Sequence, residues 1–136
     1  MTSLRRKSLV LLMGALVVVA LVPSSSLASH DVVRARRVGP GDFRWRDSET
    51  GTSQSHLFST PHRLKWRNPS NGVRHDVTFY RQPAGADLSR ISNLRPGETK
   101  SRRISVAGVY RYRCTTHSGF DQEGRCRGMC GMIRAH

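Results

Sequence analysis

The sequence predicts an all-β fold, a small sandwich or barrel. Three observations carry that expectation. Short runs rich in Val, Ile, Tyr, Phe and Trp recur through the second part of the chain. Within them, apolar and polar residues alternate at period two. Between them stand clusters of Gly, Pro, Asn and Ser, and no stretch after the first thirty or so residues carries a helical apolar stripe.

Taken in order, residues 32–38 alternate Val33, Ala35 and Arg37 against Val32, Arg34 and Arg36, which reads as an edge strand. "GPG" at 39–41 ends it as a turn. Residues 42–46 form the next strand, with Phe43 and Trp45 on one face. "DSETGTSQS", 47–55, is polar and reads as a loop. Residues 62–68 place Leu64 and Trp66 together, and "NPSNG" is a dense turn cluster. Residues 74–80 follow, with His75, Val77 and Phe79 sharing a face. "QPAGAD" is a loop, and "NLRPGETKS" contains a Pro-Gly turn. Residues 102–106 turn Ile104 and Val106 inward against Arg103 and Ser105, so the basic residues Arg102 and Arg103 read as a solvent face. After Ala107-Gly108, residues 109–114 align Tyr110, Tyr112 and Cys114. Residues 131–135 supply a last strand.

The N-terminus reads as a removable segment. Arg5, Arg6 and Lys7 precede an apolar run from Leu9 to Val22, and Ser26-Leu27-Ala28 offers small residues for cleavage after Ala28. The run is shorter than the roughly 20 residues of a membrane span. The expected organisation is a signal peptide, 1–28, and one domain, 29–136. The destination is outside the cell or in the periplasm, at the envelope exterior. The mature chain would keep 20 basic and nine acidic residues, a net charge of +11. Such a charge favours acidic partners. Export argues against nucleic acid and for an anionic envelope surface or an acidic protein. A monomer is expected. No carboxylate pair, Ser-His-Asp order or phosphate loop points to an enzyme.

The chemistry gathers in "YRYRCTTHSGFDQEGRCRGMCGM", 110–132, which holds all three cysteines. Three is an odd count, and an exported odd thiol must be protected, reactive or metal-bound. Three readings compete. Cys114-x2-His117 with Cys126-x3-Cys130 has the ligand count of a structural zinc site. Cys126 and Cys130, flanked by glycines, suit a disulfide across a turn. Two His, one Cys and a Met make a blue-copper set, and His75, His117, Cys114 and Met129 are on hand for it. Copper together with a Cys126–Cys130 disulfide uses every cysteine. His30, His56, His62 and His136 read as ordinary surface or core residues.

At this point the chain resembles the cupredoxins, the plastocyanin- and azurin-like blue copper proteins. The resemblance rests on "LKWRN", "RHDVTF", "LRPGETKSRRISVAGVYRYRC", "CTTH" and "GMCG", in that order over roughly 62–135. It implies a Greek-key β-sandwich of two sheets with about seven to eight strands. It implies one type 1 copper ion, held by His75, Cys114 and His117 with Met129 axial, and single-electron transfer between redox proteins. His117 would be the surface ligand, with Phe120 or Met132 near it. Two departures stand out. Eleven residues separate His117 from Met129, which leaves Met132 as an axial competitor, and Asp76 stands where the family often has Asn. A carboxylate there would favour Cu(II) and lower the reduction potential. Two other functions fit the same residues: copper capture or buffering without electron transfer, and a basic envelope-binding module on the same scaffold.

Overall fold

The computed structural model describes residues 30–57, 59–69 and 72–136. The signal-peptide reading of residues 1–28 lies outside these. The described residues form nine strands: β1 Val32–Gly39, β2 Asp42–Asp47, β3 Gln54–Leu57, β4 His62–Arg67, β5 His75–Arg81, β6 Ile91–Leu94, β7 Thr99–Ile104, β8 Gly108–Phe120 and β9 Cys126–Ala135. They make a sandwich of a four-stranded sheet, β2-β1-β4-β7, and a five-stranded sheet, β3-β9-β8-β5-β6.

Period-two patterning builds both layers. Val33, Ala35, Phe43, Trp45, Leu64, Trp66 and Ile104 point in from the first sheet; Leu57, Val77, Tyr110, Tyr112 and Ile133 point in from the second. Trp66 meets Tyr112 edge-on at 5.5 Å between ring centroids, and Trp45 lies 6.4 Å from the same ring. Each such large side chain contributes roughly 1.5–3 kcal/mol on burial.

The structure differs from the sequence expectation in several places. The strand expected at 102–106 is β7, Thr99–Ile104: pairing with β4 draws in the residues after the Pro-Gly turn and leaves Val106 half-buried in a bend. β1 is an internal strand, antiparallel to β2 and parallel to β4. Its alternation could not separate an edge from an interior position. β3 and β6 add two four-residue strands. β3 lies in polar sequence and is held by parallel pairing to β9. Arg102 is not on the solvent face: its guanidinium donates to the carbonyls of Ser89 and Arg90 at 3.0 and 2.8 Å. Finally, the segment after His117 is not an open loop. β8 runs on to Phe120 and β9 starts at Cys126.

That hairpin has a break in register. Arg113 pairs with Cys130, and pairing resumes only at Ser118 with Gly128. Cys114 to His117 therefore bulge out opposite Met129 alone. Beyond the break the hairpin doubles back. Cys126 and Cys130 have Cα atoms 6.1 Å apart and are joined by a disulfide. Four residues of extended strand would span roughly 13 Å. Gly128 makes the reversal, with φ +90° and its α-carbon facing the His117 carbonyl where a side chain would collide. The returning tip covers the outer face of the five-stranded sheet. Phe120 packs on Tyr80 at 5.2 Å, and the Arg113 guanidinium lies 4.8 Å over the Phe120 ring.

Candidate metal centre

Three of the four predicted metal ligands converge at one end of the sandwich. His75 opens β5 and is buried, Cys114 ends the regular part of β8 and is fully buried, and His117 closes the bulge half-buried. Their donor atoms form a triangle. His75 Nδ1 and His117 Nδ1 are 3.2 Å apart, and Cys114 Sγ lies 3.8 Å from the first and 3.4 Å from the second. The point equidistant from all three is about 2.0 Å from each, near the ~2.0–2.3 Å of metal–nitrogen and metal–sulfur bonds. The donors fit one metal ion. They are the only three-residue His/Cys/Asp/Glu group of that kind among the described residues.

The remaining predicted residues are placed by the hairpin. On β9, Met129, Gly131, Ile133 and Ala135 face the core, and Met132 is on the opposite face. Met129 is fully buried in the same core cluster as Cys114. It sits at the register break, opposite the ligand bulge. Met132 lines a recess on the outer face with Arg81 and Arg111. Cys126 and Cys130 are bridged, so Cys114 is the one free thiol among the three. The zinc reading needed both bridged sulfurs as thiolates, and the disulfide removes them.

Asp76 ties the two ligand segments together. Its Oδ1 accepts from the Thr115 backbone N–H and hydroxyl, both at 2.8 Å, and from the Cys114 thiol at 3.4 Å. Its Oδ2 accepts from Thr78 at 2.6 Å and faces Arg90 at 3.3 Å. Burial alone would raise this carboxyl; the hydrogen bonds from Thr78 and Thr115 outweigh it and hold the carboxyl below its usual range. The Cys114 thiol is pushed up, first by burial and also by the Asp76 charge. His75 is pushed down to about 4 by burial, with the neighbouring His117 adding to it. His117 is also lowered by burial. Both imidazoles are thus neutral at pH 7 with lone pairs for a metal.

Phe43, on β2, completes the wall. Its ring centroid lies 5.1 Å from His75 and 4.7 Å from His117, and Trp45 is 5.9 Å from His75. Alternation marked Phe43 as inward-facing, but its place against both imidazoles depends on the packing of one sheet on the other. Thr78 and Thr115, the hydroxyl partners of Asp76, carried no signal in the sequence. Asn68, which ends the "LKWRN" segment, donates to the carbonyls of Val73 and Leu94 at 2.8 and 2.9 Å and so braces the approach to His75.

No protein-family model matches the chain. Two chloroplastic plastocyanins are similar in sequence. One, from Hordeum vulgare, is 28% identical over 117 residues, covering 78% of this chain and 66% of the relative. The other, from Oryza sativa subsp. indica, is 30% identical over 92 residues, covering 63% and 51%. The chain thus spans between half and two thirds of these relatives' length. Among solved structures, an oxidised amicyanin variant superposes with a TM-score of 0.55 at 18% identity, over 79% of this chain and 83% of that one. A purple cupredoxin from Nitrosopumilus maritimus superposes with a TM-score of 0.52 at 15% identity, over 78% of this chain and 99% of that one. These likenesses agree with the sandwich: the chain has a cupredoxin-like fold and is similar in sequence to plastocyanins, and His75, Cys114 and His117 stand together as a candidate copper site.

Proposed function

We propose that this protein is exported and carries single electrons between redox proteins on one type 1 copper ion. The observation that carries the reading is the donor triangle, in which a buried, unbridged thiol stands within 3.8 Å of two imidazole nitrogens. Thiolate and thioether donors suit Cu(I), and imidazole serves both oxidation states. Bound copper would supply the one-electron couple. The chain does the rest. His75, Cys114 and His117 would hold the ion, and Met129, on the inward face of β9 opposite the ligand bulge, would supply the thioether. Phe43 and the β5 wall exclude water. His117, half-buried where His75 and Cys114 are buried, would be the ligand nearest solvent and the one best placed to pass an electron. The cleavable N-terminal pattern and the disulfide support an oxidising compartment outside the cytosol. The excess of basic residues suits an acidic redox partner.

Titration with Cu(II) tests the reading. The purified protein is expected to develop an intense visible band that a reductant bleaches and an oxidant restores, and Cys114→Ser should abolish it. A colourless protein that retains zinc instead would overturn the proposal.

A further inference from the structure

The outer face of the four-stranded sheet carries a charge pattern that the metal centre does not use. Alternation turns Val33, Trp45 and Trp66 inward, and so turns Arg34, Arg46 and Arg67 outward. The register makes these three direct cross-strand neighbours: Arg46 on β2 faces Arg34 on β1, which faces Arg67 on β4. Arg36 and Lys65 extend the row on the same face. None of these five pairs with an acidic residue among the described ion pairs; the neighbouring Asp42 is taken by Arg44. Like charges directly opposite on a sheet, about 5 Å apart, are destabilising. Among the described residues the row therefore makes no stabilising ion pair.

Its chemistry says what covers it. The guanidiniums stand on a sheet four strands wide, about 15 Å across. A recess of about 330 Å³ opens among Arg34, Arg36, Arg67 and Pro69. Among the described residues no aromatic or large aliphatic anchor sits among the charges, as the centre of a protein interface would require. Val38, 53% exposed, lies at the rim where β1 ends. We propose that this face docks on an anionic phospholipid membrane. Lipid phosphates pair with the guanidinium forks, a fit that Arg makes better than Lys. Val38 adds a shallow apolar contact at the edge. The metal ligands belong to the other sheet, so docking leaves them uncovered. The proposal does not depend on the copper reading, because metal-free protein suffices to test it.

Co-sedimentation with vesicles tests it on the full chain. Equimolar phosphatidylglycerol–phosphatidylcholine vesicles should bind the protein, and rising salt should release it. Attachment through the apolar run 9–22 and its basic flank Arg5-Arg6-Lys7 is the same in both triple variants below and cancels in their comparison. The triple variant Arg34→Gln, Arg46→Gln, Arg67→Gln should bind about 100-fold more weakly, at about fivefold per guanidinium. A second triple variant, Arg81→Gln, Arg111→Gln, Arg134→Gln, removes the same charge from the other sheet and should change binding by less than about fivefold. Circular dichroism checks that both variants keep the fold, and Arg34→Gln alone gives the single-step effect. Equal binding to both vesicle types overturns the proposal, as does equal loss in the two triple variants. Complete displacement by inorganic polyphosphate at matched phosphate concentration also overturns it, by making a soluble polyanion the occupant.

Discussion

Asp76 does two things that pull against each other. It is the hydrogen-bond acceptor that fastens Thr115 and the Cys114 thiol of β8 to β5. It is also a negative charge 3.4 Å from the sulfur that would bind copper. The charge favours the more positive oxidation state, and Arg90, 3.3 Å away but largely exposed, offsets only part of it. An amide keeps the acceptor oxygen and drops the charge. Asp76→Asn is therefore expected to raise the copper midpoint potential, by on the order of 100 mV for a unit charge this close to the sulfur at an effective dielectric constant of 20. Protein-film voltammetry of both forms checks this; an unchanged potential would show the charge to be fully screened.

At the scale of elements, the β8–β9 hairpin decides the site. Its register break gathers Cys114, His117 and Met129, and its doubled-back end is pinned by the disulfide and by Asp121. That carboxylate receives the Arg125 backbone N–H at 2.8 Å and the Arg125 and Arg127 side chains at 2.9 Å each. Replacing Cys126 and Cys130 together by Ser should cost about 2 kcal/mol, the entropy of a ring of this size. Urea unfolding measures that loss, and the salt-bridged tip should keep the variant folded. Much of this element was legible in the sequence. The Tyr110, Tyr112, Cys114 alternation predicted the strand, and "GMCG" entered only through the resemblance; the structure supplies the reason for its glycines, Gly128 at the reversal and Gly131 beneath the Tyr112 ring, where no Cβ fits. The 118–128 stretch was not legible as strand. It is polar and Gly-rich, and its pairing is set by the disulfide and by Phe120 finding Tyr80. β3 and β6 were hidden for a similar reason, being held by neighbours rather than by their own pattern.

At the scale of the whole molecule, the buried imidazole of His75 links acid to stability. In the unfolded chain it protonates near pH 6.5, but in the metal-free fold only near pH 4. Between these values the unfolded state binds more protons, so stability falls as pH drops. The contribution is intact above pH 6.5 and declines toward pH 4, by on the order of 2 kcal/mol once solvent screening is allowed for. Denaturant unfolding of metal-free protein across that range checks the sign, and His75→Gln should flatten the slope.

The Asp76 clasp has one more consequence. The donor triangle is closed by hydrogen bonds and ring packing that no ion supplies. Contacts from the polypeptide itself hold the donors where they stand. A cage built in advance accepts and releases an ion without refolding, and moves little when that ion's charge changes by one. Little motion per charge change means a small reorganisation barrier, which is the property a fast electron carrier needs.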